Sequence, residues 1–362
     1  MKEVLIIGGG PAGSMAARVL GNKATVYELR KPLQDKACAG GIAVHWLEKM
    51  NIKVPEGVIV GKVKGFEIAT DIGHKFEFMG DELLGIVVDR GLFDTWLLEN
   101  SGANIIRERF PRDIYKMKKE FKNYDYIIFA DGFATSAYKL GFDTKVSPDD
   151  IHVCFQYYTN HRIGDKIRLI ISDKYAPKGY VWEFPYKDGS EIGLGIPKSL
   201  GLNPKKLLDD YMKKYHPDVK IGGSRSGVVP TALPVSELVI DNMAVVGDAA
   251  RLVNPATGGG IHTAMLSGMY VGMAILKGDI HKYTSYIRDQ VMRNKMLFAI
   301  KELIYRKGEK YINDTLKNVQ DFKLKGKEPD REIKRLIRYI MLRHPALGFE
   351  ILRMVIKYAI KR

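Results

Sequence analysis

The chain has 362 residues, 46% hydrophobic and 27% charged, with no low-complexity tract, enough for two domains or for one nucleotide-binding domain with large insertions. Cys38 and Cys154 are its only cysteines, which excludes a disulfide framework and fits a reducing compartment, and no stretch approaches the roughly 20 apolar residues of a membrane-spanning helix. The formal charge of +15 is concentrated late in the chain, where residues 281–362 carry 21 Lys and Arg against 9 Asp and Glu.

The apolar run in MKEVLIIGGG is too short for a signal-peptide core and passes straight into glycines, as a buried first strand does. EVLII (residues 3–7) predicts that strand, SMAARVL (14–20) a helix, and ATVYE a second strand closing on Glu28. Residues 62–80 alternate as a β-hairpin, and residues 91–100, after Asp89 and Arg90, read as a helix. The apolar run Tyr126–Ala130 is a buried strand that ends on Asp131-Gly132.

From about 147 to 235 the period is two, with Lys187–Ser190 as a hairpin turn and one helix near 204–215. Cys154 falls in one of these alternating strands as a packing residue. A buried strand returns at 243–248, a glycine-rich turn leads into a helix at 259–276, and after Gly278 the pattern is helical and basic. The expected fold class is α/β. A Rossmann-type nucleotide-binding domain (1–146 and 236–280) is interrupted by an antiparallel β-sheet substrate domain (147–235), and a basic helical region (281–362) follows.

Three motifs carry the nucleotide chemistry. In the turn that holds Gly8, Gly10, Ala12 and Gly13, the first glycine permits the tight bend and the second lets backbone approach a pyrophosphate. The third lets helix pack closely on strand, and the helix N-terminus offers free N–H groups to the phosphates. Glu28, 20 residues after Gly8, can accept hydrogen bonds from ribose hydroxyls. Asp131-Gly132 closes a second strand. Gly247-Asp248 closes a third, ahead of Pro255 and of Gly258, Gly259, Gly260 and Ile261 at a helix start, where an aspartate can bind polyol hydroxyls. Taken singly, the second and third motifs are also plain strand–turn corners.

In this order and spacing the three motifs resemble the two-dinucleotide flavoprotein superfamily that contains the aromatic hydroxylases, over most of residues 1–275. The resemblance implies FAD rather than NAD as the tightly held cofactor, and it puts Arg90 where that superfamily carries a flavin-contacting arginine.

Two further signatures narrow the reading. Residues 36–42 are KACAGGI, with Cys38, Ala39 and Gly41 as cofactor-contact candidates, and residues 177–185 read Pro177-x-x-Tyr180-x-Trp182-x-Phe184-Pro185. The second pattern, PxxYxWxFP, resembles the hallmark of the geranylgeranyl reductase family, whose members reduce isolated double bonds in polyprenyl chains. The resemblance implies a polyprenyl lipid substrate of the archaeal ether-phospholipid type, and an electron donor that is a nicotinamide, a deazaflavin or a ferredoxin. On a strand Tyr180, Trp182 and Phe184 share one face. They can flank an isoprenoid channel or pack a sheet core; the flanking prolines and the CAGG segment favour the channel.

An isolated alkene has no group that invites hydride, so hydride from a reduced flavin must be matched by a proton from an acid. Cys38 and Tyr180 are the candidates, with His262 behind them. Cys38 can also be a small buried loop residue, and His262 a local cap. No metal-ligand spacing and no GxSxG occur, which leaves metal or serine-hydrolase chemistry unsupported.

The basic tail has two amphipathic stripes, Ile333, Leu336, Ile337, Ile340 and Met341, and Met292, Met296, Ile300, Leu303 and Ile304. They can pack on the body or meet an anionic membrane surface. Nucleic acid lacks a recognised binding module. The expectation is a cytoplasmic protein peripherally associated with the membrane. A flavin monooxygenase and a non-enzymatic flavin-holding adaptor are the rival readings.

Overall fold

The computed structural model describes residues 3–319 and, beyond them, Phe322, Arg335, Arg338, Tyr339, Leu342, Phe349 and Arg353. Strand Val4–Ile7 is buried along its whole length and lies inside a six-stranded sheet. The strand order is Val239–Ile240, Met243–Val245, Tyr126–Phe129, Val4–Ile7, Ala24–Tyr27, Asn104–Ile106. Every neighbouring pair is parallel except the outermost one, between Val239–Ile240 and Met243–Val245. Parallel strands covered on both faces read as unbroken apolar runs, which is why VLII and YIIF show no alternation.

The first helix, Pro11–Leu20, opens directly on the glycine turn, earlier than the periodicity indicates. Proline tolerates the first helical position because the N–H it lacks has no partner there. This helix packs against the strand Val4–Ile7 and the helices Arg90–Glu99 and Ile261–Leu276. The approach of the last is close: a Cβ on Gly268 would lie 1.9 Å from the Ala12 carbonyl oxygen.

The second sheet has seven strands, in the order Ile221–Pro230, Ile151–Thr159, Gly189–Pro197, Tyr180–Tyr186, Lys166–Ile171, Gly65–Thr70, Lys75–Met79. It is antiparallel except where Lys166–Ile171 runs parallel to Gly65–Thr70. The early hairpin is therefore hydrogen-bonded into this sheet and not into the nucleotide-binding one. Lys187 and Asp188 form the two-residue turn between the paired residues Tyr186 and Gly189. One face packs Val181, Ile192, Leu194 and Ile196 against Leu208, Tyr211 and Met212 of helix Pro204–Tyr215. By strand alternation, Tyr180, Trp182 and Phe184 occupy the other face.

A three-stranded sheet, Gly41–Ala43, Gly85–Val88 and Ile59–Val63, joins the two layers. After it, helix Lys282–Val319 runs along the body and changes direction at Gly308 (φ 72°). It buries Tyr283, Ile287, Leu297, Phe298 and Leu303. In its amphipathic stripe Leu303 is buried, Met296, Ile300 and Ile304 are half-buried, and Met292 is exposed, so most of that face is turned to protein. The stripe from Ile333 to Met341 lies outside the described residues. Among the described residues no helix is long and apolar enough to cross a membrane.

Gly268→Ala should be destabilising although alanine is the better helix former, because overpacking costs about 1–3 kcal/mol. A melting temperature equal to the parent's would mean that the two helices do not meet at Ala12.

Candidate functional site

Backbone proximity dictates the first glycines. Gly8 has φ 103° and a Cβ there would lie 2.4 Å from the Ala130 oxygen; one on Gly13 would lie 1.9 Å from the Gly8 oxygen. Gly10 differs, since a Cβ there meets only an Arg30 Nη2 at 3.7 Å, and its helix has no side-chain cap. The face toward an approaching phosphate is thus backbone.

Glu28 is buried and already engaged: Oε2 accepts from the Gly9 N–H at 2.7 Å and Oε1 from the Arg30 N–H at 2.7 Å. Arg30 Nη1 continues to Asp94 Oδ2 at 2.9 Å. Asp94 also receives Arg90 through Nε at 3.0 Å and Nη2 at 2.9 Å. The Arg90 guanidinium also lies near the Cys38 sulfur, which accepts from the Gly40 N–H at 3.4 Å. One chain of charge-assisted bonds thus runs from the acid after the second strand to Arg90, beside the cysteine of KACAGGI. Burial alone would push the Asp94 carboxyl up, but the Arg90 guanidinium, aided by Arg30, holds it below the usual carboxylate range. Arg30 and Asp94 carry no motif and escape sequence reading.

Asp131 Oδ2 accepts from the Ser136 N–H at 2.8 Å and hydroxyl at 3.0 Å. Its Oδ1 is buried without a partner, and burial raises its carboxyl pKa. Gly132, at φ 78°, faces open space. Asp248 Oδ1 lies 3.5 Å from the Cβ position of Gly260, the residue that begins helix Ile261–Leu276 without a side-chain cap. Two uncapped helix N-termini and one orphaned buried carboxylate oxygen suit an elongated ligand with phosphates and hydroxyls.

The motifs that belong to different layers converge on one cavity of about 220 Å³. Its walls include Cys38, Ala39 and Gly41 on one side, Gly258, Gly259 and Gly260 on another, and Tyr180, Trp182 and Phe184 across from them. A Cβ on Gly41 would meet the Phe184 ring at 2.8 Å, and the Tyr180 hydroxyl donates to the Thr257 carbonyl in a short hydrogen bond. Trp182 is opposite Gly193, whose Cβ would strike the indole at 2.4 Å. Gly193 thus makes room for the ring, and Gly195, whose Cβ would lie 2.9 Å from Cys154 Sγ, for the thiol.

Below the wall, the Trp182 Nε1–H donates to Glu191 Oε1 at 3.1 Å. Burial pushes the Glu191 carboxyl up to about 8. Cys154 also faces the cavity, next to Gly195, and burial pushes its thiol up to about 12. Further wall comes from outside every motif: His152 from the sheet, Thr231 just past the strand Ile221–Pro230, and Lys301, Ile304 and Tyr305 from the long helix. Helical periodicity marks Lys301 and Tyr305 only as ordinary neighbours one turn apart.

Not every candidate reaches the cavity. His262 stacks on Trp46, with ring centroids 5.1 Å apart at 19°. Burial first, then Arg293 and His45, push its pKa down to about 3, so it is uncharged at neutral pH. Elsewhere, His161, Glu183 and His216 bring potential metal-ligand atoms within 4.8 Å of one another. Glu183 is occupied there by Arg168 at 2.7 Å, Tyr211 at 2.8 Å and His216 at 3.0 Å.

Residues 150–228 match the family model described as the geranylgeranyl reductase catalytic domain. The chain is 32% identical to the digeranylgeranylglycerophospholipid reductase of Methanosarcina acetivorans over 77% of each protein. It is 28% identical to the enzyme of that name from Methanothrix thermoacetophila, over 98% of this chain and 99% of the other. A crystal structure from Thermoplasma acidophilum, described as geranylgeranyl bacteriochlorophyll reductase-like, superposes with a TM-score of 0.84 at 23% identity, covering 98% of this chain and 99% of that one. A flavin-dependent brominase superposes at 0.70 with 15% identity and 99% coverage of both chains. At those identities the two structures share the fold alone.

Glu191 also makes stability depend on pH. Its carboxyl binds a proton more tightly folded than unfolded, so stability is fully present below the unfolded pKa near 4.5 and falls as pH rises toward about 8. Glu191→Gln should therefore melt close to the parent at low pH and above it at pH near 9. A constant difference across that window would show that folding does not shift the Glu191 carboxyl.

Proposed function

The chain belongs to the digeranylgeranylglycerophospholipid reductase family, and from that premise we propose how its residues carry out the flavin-dependent reduction of geranylgeranyl chains in archaeal lipid synthesis. The cofactor is FAD. Gly8, Gly10, Ala12 and Gly13 hold its pyrophosphate at the first helix, Glu28 its ribose, and Asp131, Gly132 and Asp248 its remaining hydroxyls and phosphate. Cys38, Ala39, Gly41, Arg90 and the segment Gly258–Ile261 surround the ring. Residues 1–146 and 236–280 form the nucleotide-binding part and 147–235 the lipid-binding part, to which the Gly65–Met79 hairpin is added.

One observation supports this reading above the others: Tyr180, Trp182 and Phe184 line the same cavity as Cys38 and Gly258–Gly260. When bound, reduced flavin supplies a hydride. The chain's residues do the rest. Trp182 and Phe184 give the hydrocarbon tail an apolar wall that excludes water. Tyr180 ties that wall to the cofactor loop through Thr257. The Glu28–Arg30–Asp94–Arg90 chain keeps Cys38 and its loop in place against the strand that carries Phe184. At about 220 Å³ the cavity is smaller than the roughly 300–1,000 Å³ of typical ligand pockets, so it takes a segment of the chain at a time. The excess of basic residues after 281 brings the protein to anionic lipid headgroups, which co-sedimentation with anionic vesicles measures.

The test is to photoreduce the flavin without oxygen and add digeranylgeranylglycerophospholipid. The expected result is reoxidised flavin and lipid heavier by two hydrogens per bond reduced. Lipid of unchanged mass, with oxygen consumed only in the presence of an aromatic substrate, would instead favour the monooxygenase chemistry that this fold also supports.

A further inference from the structure

Alkene saturation needs a proton as well as a hydride, and the groups nearest the cofactor loops are committed elsewhere. The Tyr180 hydroxyl donates to the Thr257 carbonyl, the Cys38 sulfur accepts from the Gly40 N–H at 3.4 Å beside the Arg90 guanidinium, and His262 is stacked on Trp46 away from the cavity. The wall formed by the long helix holds a polar cluster that an apolar lining has no packing reason to keep. Tyr305 Oη is 2.6 Å from His152 Nε2, and His152 Nδ1 is 2.8 Å from Thr231 Oγ1. One helical turn away, Lys301 is 1% exposed. Its ammonium donates to Asp150 Oδ1 at 2.5 Å and to the Thr231 carbonyl at 3.0 Å, and it lies 5.3 Å from the centre of the Tyr305 ring. Burying a lysine and a histidine beside a hydrocarbon site costs stability that leucine or methionine would not.

We propose that Tyr305 is the acid that protonates the alkene, with His152 and Lys301 as the residues that position it and stabilise the phenolate it leaves. This rests on the reductase reading of the same cavity. The Lys178 carbonyl, 3.3 Å from His152 Nε2, favours the tautomer that carries its hydrogen there. In that tautomer the Thr231 hydroxyl, also 3.2 Å from the Asp150 carbonyl, turns to Nδ1. The Nε2–H is shared between the Lys178 carbonyl and the phenol oxygen, and the phenol hydrogen is free to turn into the cavity. Burial, with Lys301 beside it, holds the His152 pKa down at about 4, so the ring is neutral. Burial, with Tyr180 nearby, raises the Tyr305 phenol above its ordinary value, so it carries its proton at neutral pH.

The alkene accepts a hydride with its electron pair at one carbon, forming the first C–H bond. Its π pair takes the phenol proton at the other carbon, forming the second, as the Tyr305 O–H bond breaks. The lipid is reduced, and the reductant is the reduced flavin of the family's activity. The phenolate, paired with the Lys301 charge and the His152 N–H, regains a proton from water once the product tail withdraws.

The test uses the full-length flavin-loaded protein and Tyr305→Phe. Three quantities are measured: flavin content, the affinity of oxidised protein for geranylgeranyl lipid by flavin fluorescence, and the single-turnover rate at which lipid reoxidises photoreduced flavin. We expect flavin content and affinity near the parent's, with a rate reduced at least about 100-fold. Lys301→Met should keep lipid affinity and lower the rate as well. Fluorinated tyrosine of lower pKa at position 305 should move the alkaline fall of the rate to lower pH. A parent-like rate in Tyr305→Phe, or a rate loss matched by an equal loss of affinity, overturns the assignment and leaves the reductase reading standing. A parent protein that lipid does not reoxidise at all overturns both.

Discussion

The structure turns on a close approach between two layers that have unrelated backbones. The aromatic strand Tyr180–Tyr186 can lie against the segments 37–41 and 255–260 only because residues facing it lack side chains. Gly41 admits the Phe184 ring from the loop side, and Gly193, on the neighbouring strand of the same sheet, admits the Trp182 indole; any Cβ at these positions would overlap those rings. The Tyr180–Thr257 hydrogen bond then fixes the separation. Cavity, wall and loop are consequences of that seam. In the proposed reading, a substrate tail that enters it is pressed between the backbone of those loops and three aromatic faces.

Polar groups around the seam are arranged so that none of them opens it to water. The chain from Glu28 through Arg30 and Asp94 to Arg90 neutralises two buried carboxylates with two guanidiniums and ends beside Cys38. Glu191 takes the opposite solution. Among the described residues its only hydrogen-bond donor is the Trp182 indole and no cation pairs with it, so burial keeps the carboxyl protonated up to about pH 8. Both devices keep the wall apolar and rigid. The flavin-dependent brominase has the same fold at 15% identity, so the chemistry resides in the cavity lining and not in the scaffold.

Local patterns made much of this legible. Continuous apolar runs mark the parallel strands, alternation marks the antiparallel ones, and the helix over 204–215 has the bounds that its periodicity indicates. PxxYxWxFP and KACAGGI were readable as separate signatures, and their shared cavity follows from residues that those patterns name. What escaped is what depends on distant partners. The hairpin Gly65–Met79 alternates identically whichever sheet it joins, and a parallel pairing with Lys166–Ile171 leaves no local trace. Arg30 and Asp94 are 64 positions apart. His262 follows the glycine turn closely in sequence, but its ring turns to Trp46. Lys301 and Tyr305 sit in a basic amphipathic helix whose pattern describes a face without saying what that face covers.

The central claim is that a hydrocarbon tail lies between the aromatic strand and the cofactor loops. Photocrosslinking tests it most directly, with a geranylgeranyl lipid that bears a diazirine within the chain, illuminated on the flavin-loaded protein and mapped by peptide sequencing. The account predicts label on residues 180–184 and 301–305, lost when saturating unlabelled lipid competes. Competable label confined to other segments, with none on either of these, would contradict it.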